Sequence, residues 1–160
     1  MKKTILLCCM AFLMVSCSTM KPKQVSYQYD LKCAGMASDG SYIVQITSFG
    51  KTMKEAREQA IKDAVHGVLF KGIAGNGPGC TPQRPIVSDP TIELSRADYF
   101  TTFFADGGSY LRYVSVSPNS VSPTKVSGGY SATLILTINK DLLRKDLEKA
   151  GIIRGLSTGF

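Results

Sequence analysis

The chain has 160 residues, 44% of them hydrophobic, and carries 19 Lys and Arg against 12 Asp and Glu, a formal charge of +7. This length is about one domain's worth, enough to bury a core without metals. The basic residues are scattered, with no Lys/Arg block and no nucleic-acid motif. That pattern excludes a nucleic-acid binder and leaves a solvated basic surface, compatible with attraction to anionic lipid head groups or acidic polymers.

The chain opens on Lys2 and Lys3, then an apolar run from Thr4 to Val15, then Ser16 and Cys17. Positive charge, a short apolar core and a small residue before the cut make a secretory signal. The apolar run is too short for a spanning helix, which needs ~20 apolar residues. No second run of spanning length follows Cys17. The stretch Leu13-Met14-Val15-Ser16-Cys17 resembles a bacterial lipoprotein lipobox. The resemblance implies cleavage between Ser16 and Cys17 and lipidation of Cys17 with acyl chains such as palmitate. A secretory signal without lipid is the alternative.

On this reading residues 1–16 are a signal peptide, 17–24 a lipidated tether and 25–160 a single folded domain. Cleavage leaves 144 residues, and the charge falls to +5 because Lys2 and Lys3 depart. Ser18 to Gln24 is polar, basic and broken by Pro22, as befits a tether. Exterior-bound lipoproteins of Bacteroidota-like bacteria often carry acidic residues after the lipidated cysteine, and none stand here. Ser18 also differs from the aspartate that often retains lipoproteins in the inner membrane. The resemblance therefore implies the outer membrane, facing the periplasm.

Of five cysteines, Cys8 and Cys9 leave with the signal and Cys17 takes lipid. Cys33 and Cys80 remain, an even number in an oxidising compartment, and a Cys33–Cys80 disulfide is expected. Two unpaired thiols are the alternative. Neither has a His or Cys nearby at a zinc spacing, so no metal site is expected.

Val25 to Cys33 alternates apolar and polar residues, as a half-buried antiparallel strand does. Ser38-Asp39-Gly40 supplies a turn, and Ser41 to Phe49 a second strand of a hairpin. Thr52 and Glu55 are spaced as a capping box. Met53, Ala56, Ala60, Ile61, Ala64, Val65 and Val68 then recur every three or four residues on one helical face. Lys54, Glu55, Glu58, Lys62 and Asp63 mark the other face, with Glu58 placed to meet Lys62. Gly72 is a suitable stop.

Gly72 to Cys80 is glycine-rich but lacks the Gly-Lys-Ser/Thr ending and the strand-to-helix setting of a phosphate loop. It reads as a flexible connection pinned by Cys80, continuing as loop to Pro90. Pro90 to Ala105 suggests a second helix. Its aromatic residues form a second core layer or, alternatively, a partner-binding face. Tyr110 to Val116 reads as a strand, Ser117 to Gly129 as a polar loop, and Tyr130 to Ile138 as the clearest strand. Asn139 caps a final helix, Lys140 to Ala150, stopped by Gly151. The apolar tail, Ile152 to Phe160, is expected to dock. The order ββ-α-α-ββ-α predicts an α+β fold, with an antiparallel sheet of about four strands and helices packed on one face.

His66 is the only histidine. Its place late in a helix reads as a boundary residue beside the dipole's negative end. No nucleophile–base motif stands in the chain, and no spacing brings an acidic pair such as Asp98 and Asp106 together. No catalytic residue and no cofactor are therefore expected. The helix Glu55-Ala56-x-x-x-Ala60-x-x-Asp63-Ala64, placed after a hairpin, resembles small exported lipoproteins and flagellar-assembly-type periplasmic domains. The late strand running into a helix with Leu143 and Leu147 is similar to theirs. The resemblance covers about half of the mature chain. It implies a Bacteroidota-type envelope lipoprotein with a structural or assembly role and a protein partner. A binding module for a small ligand or cell-wall polymer, with the Gly72–Pro90 loop as lid, is the second expectation, and a hydrolase the last.

Overall fold

A computed structural model describes residues 28–75 and 77–155. Cys17, the Ser16–Cys17 junction and the tether lie outside them, as do residues 156–160 of the tail. The fold is α+β, an antiparallel sheet of five strands with four helices.

Strand β1, Asp30–Met36, pairs with β2, Tyr42–Gly50, through the Ser38-Asp39-Gly40 turn. Asp39 fixes that turn by accepting from the Ser41 amide at 2.9 Å. Strand β5, Gly129–Ile138, lies on the other side of β2 in unbroken register from Tyr42↔Ile138 to Gly50↔Tyr130. The far edge of β5 is shared by two short strands, β3 (Val114–Val116) and β4 (Thr124–Val126). Ser120 fills the gap between them, its hydroxyl bonding both the amide and the carbonyl of Ile135. Residues 117–129, read as loop, thus contribute a fifth strand. The segment from Tyr110 departs from its reading too. Ser109–Tyr113 is a 3-10 turn that buries Tyr110 and Tyr113, and only Val114–Val116 pair as strand.

Alternation in β2 and β5 sorts the side chains by face. Val44, Ile46, Ala132, Leu134, Leu136 and Ile138 are fully buried on the inner face. Ile43, Gln45, Thr47, Thr133, Ile135 and Thr137 point outward and stay half-buried or exposed. Helix α1, Met53–His66, lies on the inner face. Ala56, Ala60 and Ala64 are fully buried, and small side chains let the helix backbone approach closely. Thr52 accepts from the Glu55 amide, while Glu55 reaches the amide of Lys51, one residue beyond the expected capping-box partner.

Past His66 the helix widens into a π-helical turn, Gly67–Lys71, closed by the Gly72 amide on the Gly67 carbonyl. Gly67 lets the helix end lie close on β1: a Cβ there would come 2.4 Å from Leu31 Cδ2, and the Leu31 side chain would have to turn aside. The connection from Gly72 to Pro90 is stitched down at several points besides Cys80. Ile73 and Gln83 exchange backbone hydrogen bonds, and Ile86 and Val87 donate to the carbonyls of Val68 and Leu69. Ile73, Ile86 and Val87 enter the core.

The expected second helix is split. Helix α2, Ile92–Ser95, and helix α3, Ala97–Phe103, meet at Arg96, whose φ of −117° and ψ of 34° leave the helical region. Phe103 is buried against Tyr110 and Tyr113, and Phe100 against Phe70 and Phe103, so this aromatic cluster is core. Helix α4, Lys140–Lys149, is capped by Asn139, and Ile152 of the tail is buried beside it.

Candidate functional site

The chemistry of the described chain is concentrated where polar side chains enter the core. Four such residues are buried among the described residues: Ser41, Ser48, Asp63 and His66. Two of them, Asp63 and His66, sit one turn apart on α1.

Asp63 was expected on the solvent face of the helix. It is only 2% exposed. It stands seven residues after Ala56, so two helical turns bring it back onto the alanine stripe. Its carboxylate accepts from Ser48 Oγ at 2.7 Å and from Gln59 Nε2 at 2.8 Å. Burial pushes the Asp63 carboxyl up, opposed by those two hydrogen bonds and by the charge of Lys71. Lys62, expected to meet Glu58, instead reaches Asp106 at 2.7 Å, while Glu58 faces Lys54 at 3.7 Å.

His66 was expected at a boundary and is 3% exposed. Its Nδ1 lies 2.8 Å from the Tyr29 hydroxyl, just ahead of β1, and its Nε2 lies 3.1 Å from Glu93 Oε1 on α2. Phe70 and Phe104 flank the ring, with centroids 5.0 and 6.1 Å away. Burial, with the charge of Lys71 second, pushes the imidazole down to about 3. The neutral ring satisfies both contacts: Nε2–H donates to the Glu93 carboxylate, and Nδ1 accepts from the Tyr29 hydroxyl. Burial raises the Glu93 carboxyl. The Lys71 ammonium lies 3.9 Å from the Tyr29 ring centroid, a cation–π contact.

The order carboxylate, imidazole, hydroxyl is that of a nucleophile relay, with a phenol at the reacting end. Its central ring is sealed and both ring nitrogens are bonded within the fold. What the arrangement does plainly is bind three distant segments, the entry to β1, the end of α1 and α2. The sequence held one signal of this: a lone His three residues after an Asp that shares the alanine stripe.

Cys33 and Cys80 are joined as a disulfide, with Cα atoms 5.7 Å apart. The bridge ties the first strand to the Gly72–Pro90 connection. Among the described residues no group of three or more His, Cys, Asp or Glu is placed to hold a metal ion. Among them, too, no helix is long and apolar enough to cross a membrane.

At the surface, a shallow cleft of about 230 Å³ opens where β2 ends and β5 begins. Phe49, Lys51, Val126 and Tyr130 line it, together with Gly50, Gly128 and Gly129. Glycine is required at two of these positions. A Cβ on Gly129 would meet the Gly50 carbonyl at 2.3 Å, and one on Gly50 would meet the Ala56 amide at 2.3 Å. Phe49 is 58% exposed. No family model matches the chain, and no curated protein or solved structure matches it either.

Proposed function

We propose that the chain is an envelope lipoprotein, anchored through acylated Cys17 on the periplasmic side of the outer membrane, and that its domain is a non-catalytic structural or assembly subunit. The observation that carries this reading is the Leu13–Cys17 lipobox, followed by a short basic tether that leads into a folded, disulfide-linked body. Export to an oxidising compartment and a Cys33–Cys80 bridge support each other. The two buried polar clusters favour a non-catalytic role, because their hydrogen bonds are spent on joining segments. The protein partner would meet the outer face of the sheet, where Ile43 and Ile135 are only half-buried among threonines.

Two measurements test the reading. Mass spectrometry of the native product should find an acylated N-terminal Cys17, and an intact leader or an unacylated start would overturn the anchor. Crosslinking in cells with the lipidated protein as bait should capture an envelope protein, lost when Ile43 and Ile135 are replaced by Lys. Capture unchanged by those replacements would remove the outer face from the proposal.

A module for a small ligand or cell-wall polymer is the second reading, and the Phe49–Tyr130 cleft is what favours it. Its size ranks it second, since sites that engulf drug-sized ligands run to about 300–1,000 Å³.

A further inference from the structure

We infer that the corner built from Phe49, Lys51 and Val126 is the surface on which the anchored domain lies against an anionic lipid bilayer. This rests on the lipidated-Cys17 reading above.

The first observation is where the anchor is attached. Asp30 pairs with Thr47, and β1 runs from there toward Met36, which pairs with Tyr42. The chain therefore enters the sheet at the end where β2 finishes, at Thr47 to Gly50. Eleven residue steps separate Cys17 from Gln28. Their full extension is at most about 40 Å. On the lipidated-Cys17 reading, this end of the sheet stays within that distance of the bilayer.

The second observation is what that end displays. Phe49 is 58% exposed and Val126 37%, and both line the same cleft as Lys51. Register places Phe49 opposite Ser131, and Val126 opposite Gly129, so both side chains leave the sheet on its outer face. Lys51, Lys54 and Lys125 are exposed around them. Lys21 and Lys23 of the tether add two further cations next to the anchor. Asp30, Glu55 and Glu58 are the nearby acids. Asp30 is 2.7 Å from Lys32, Glu55 is engaged by the Lys51 amide, and Glu58 faces Lys54. Apolar side chains interleaved with lysines suit the head-group region, where methylenes insert and ammonium groups meet anionic phosphates.

The chain has no tryptophan, so one introduced residue is a clean probe. Native lipidated protein carrying Phe49→Trp is reconstituted into phosphatidylethanolamine–phosphatidylglycerol vesicles, with or without brominated acyl chains. Leu142→Trp is the control. Leu142 is also 37% exposed, but it follows Ile138 at the opposite end of the sheet. The expected result is a blue-shifted emission quenched by bromine for Phe49→Trp, and neither effect for Leu142→Trp. Lys51→Gln in the Phe49→Trp background should lower the docked-to-undocked ratio about fivefold, the worth of one lysine near an anionic surface. Mass spectrometry of the same sample reports the acyl chains. An acylated protein whose Phe49→Trp probe stays unquenched overturns this inference alone. Equal quenching at both ends does the same. An unacylated product overturns the anchor, and the inference falls with it. Protection of the probe in cells but not in lipid vesicles would assign the corner to a protein and overturn it as well.

Discussion

Ser48 donates its hydroxyl proton to Asp63 across 2.7 Å, and both residues are sealed from solvent between β2 and α1. This contact ties α1 to β2, while Gln59 on the helix itself satisfies the other carboxylate oxygen. Ser48→Ala removes the donor and leaves a carboxylate oxygen buried with its bond unmade. The expected cost is about 1–3 kcal/mol, read by urea denaturation at pH 7. Asp63→Asn keeps an acceptor and removes the charge. Since burial raises the carboxyl, its favourable contribution is complete below pH 3.8 and is lost as pH rises through the folded value. Asp63→Asn should therefore be close to neutral at pH 7, and relatively less stable than wild type in acid. A Ser48→Ala protein as stable as wild type would show that the contact carries nothing.

His66 predicts the opposite pH trend. Its folded imidazole titrates at about 3, against 6.5 for the free group. Between those values the unfolded chain binds a proton that the folded chain refuses. The stability is fully present above pH 6.5 and is lost as pH falls toward 3, at up to about 1.4 kcal/mol per pH unit. Glu93 and Asp63, raised by burial, act in the reverse sense near the acid end. The difference between wild type and His66→Gln isolates the histidine term, and the variant should lose less stability on acidification from pH 6.5 to 4.5. The single imidazole resonance should also stay neutral at pH 5 by NMR. A protonated ring at pH 5 would contradict the sealed, neutral relay.

The Cys33–Cys80 bridge closes a loop of 47 residues' separation. In the loop-entropy account such closure is worth about 4 kcal/mol, less any strain in the folded chain. Cys33→Ser with Cys80→Ser should lose most of that in chemical denaturation. Backbone exchange should rise first between Gly72 and Pro90, because the remaining ties there are a few hydrogen bonds around Ile73, Ile86 and Val87. Reductant that leaves both stability and exchange untouched would mean the bridge contributes nothing.

What could be read from the residues was local. Thr52, Asn139, Gly72 and Gly151 marked helix ends because capping is decided within one turn, and all four act at those ends. Strict alternation fixed the inner face of β5. What could not be read depended on partners far along the chain. Val126 lies in a strand only because β5 offers an edge, and Tyr110 is not in one because its ring is needed in the core beside Phe103. Asp63 was misplaced because charge was taken as a mark of the solvent face, although its spacing from Ala56 said otherwise. Ser48 looked like one more strand residue until its partner, 15 positions later, was known. The inward turn of His66 likewise depended on Tyr29 and Glu93, 37 and 27 residues away.

The corner between β2 and α1 admits no side chain at Gly50. A Cβ there would stand 2.3 Å from the Ala56 amide nitrogen and 2.8 Å from its Cα. Backbone cannot rotate away as a flexible side chain could, so the helix must lift off the sheet. The lift would be felt along the stripe Ala56, Ala60 and Ala64, all fully buried against it. Gly50→Ala should therefore cost more than a typical substitution, upwards of about 2 kcal/mol. The same methyl at Gly128, in the tight turn between β4 and β5, meets open space, and its penalty comes only from a φ of +83°. Gly128→Asn, which tolerates that φ, should be nearly silent in thermal unfolding. Similar losses for the two variants would mean that close packing of α1 on β2 is not what demands glycine at position 50.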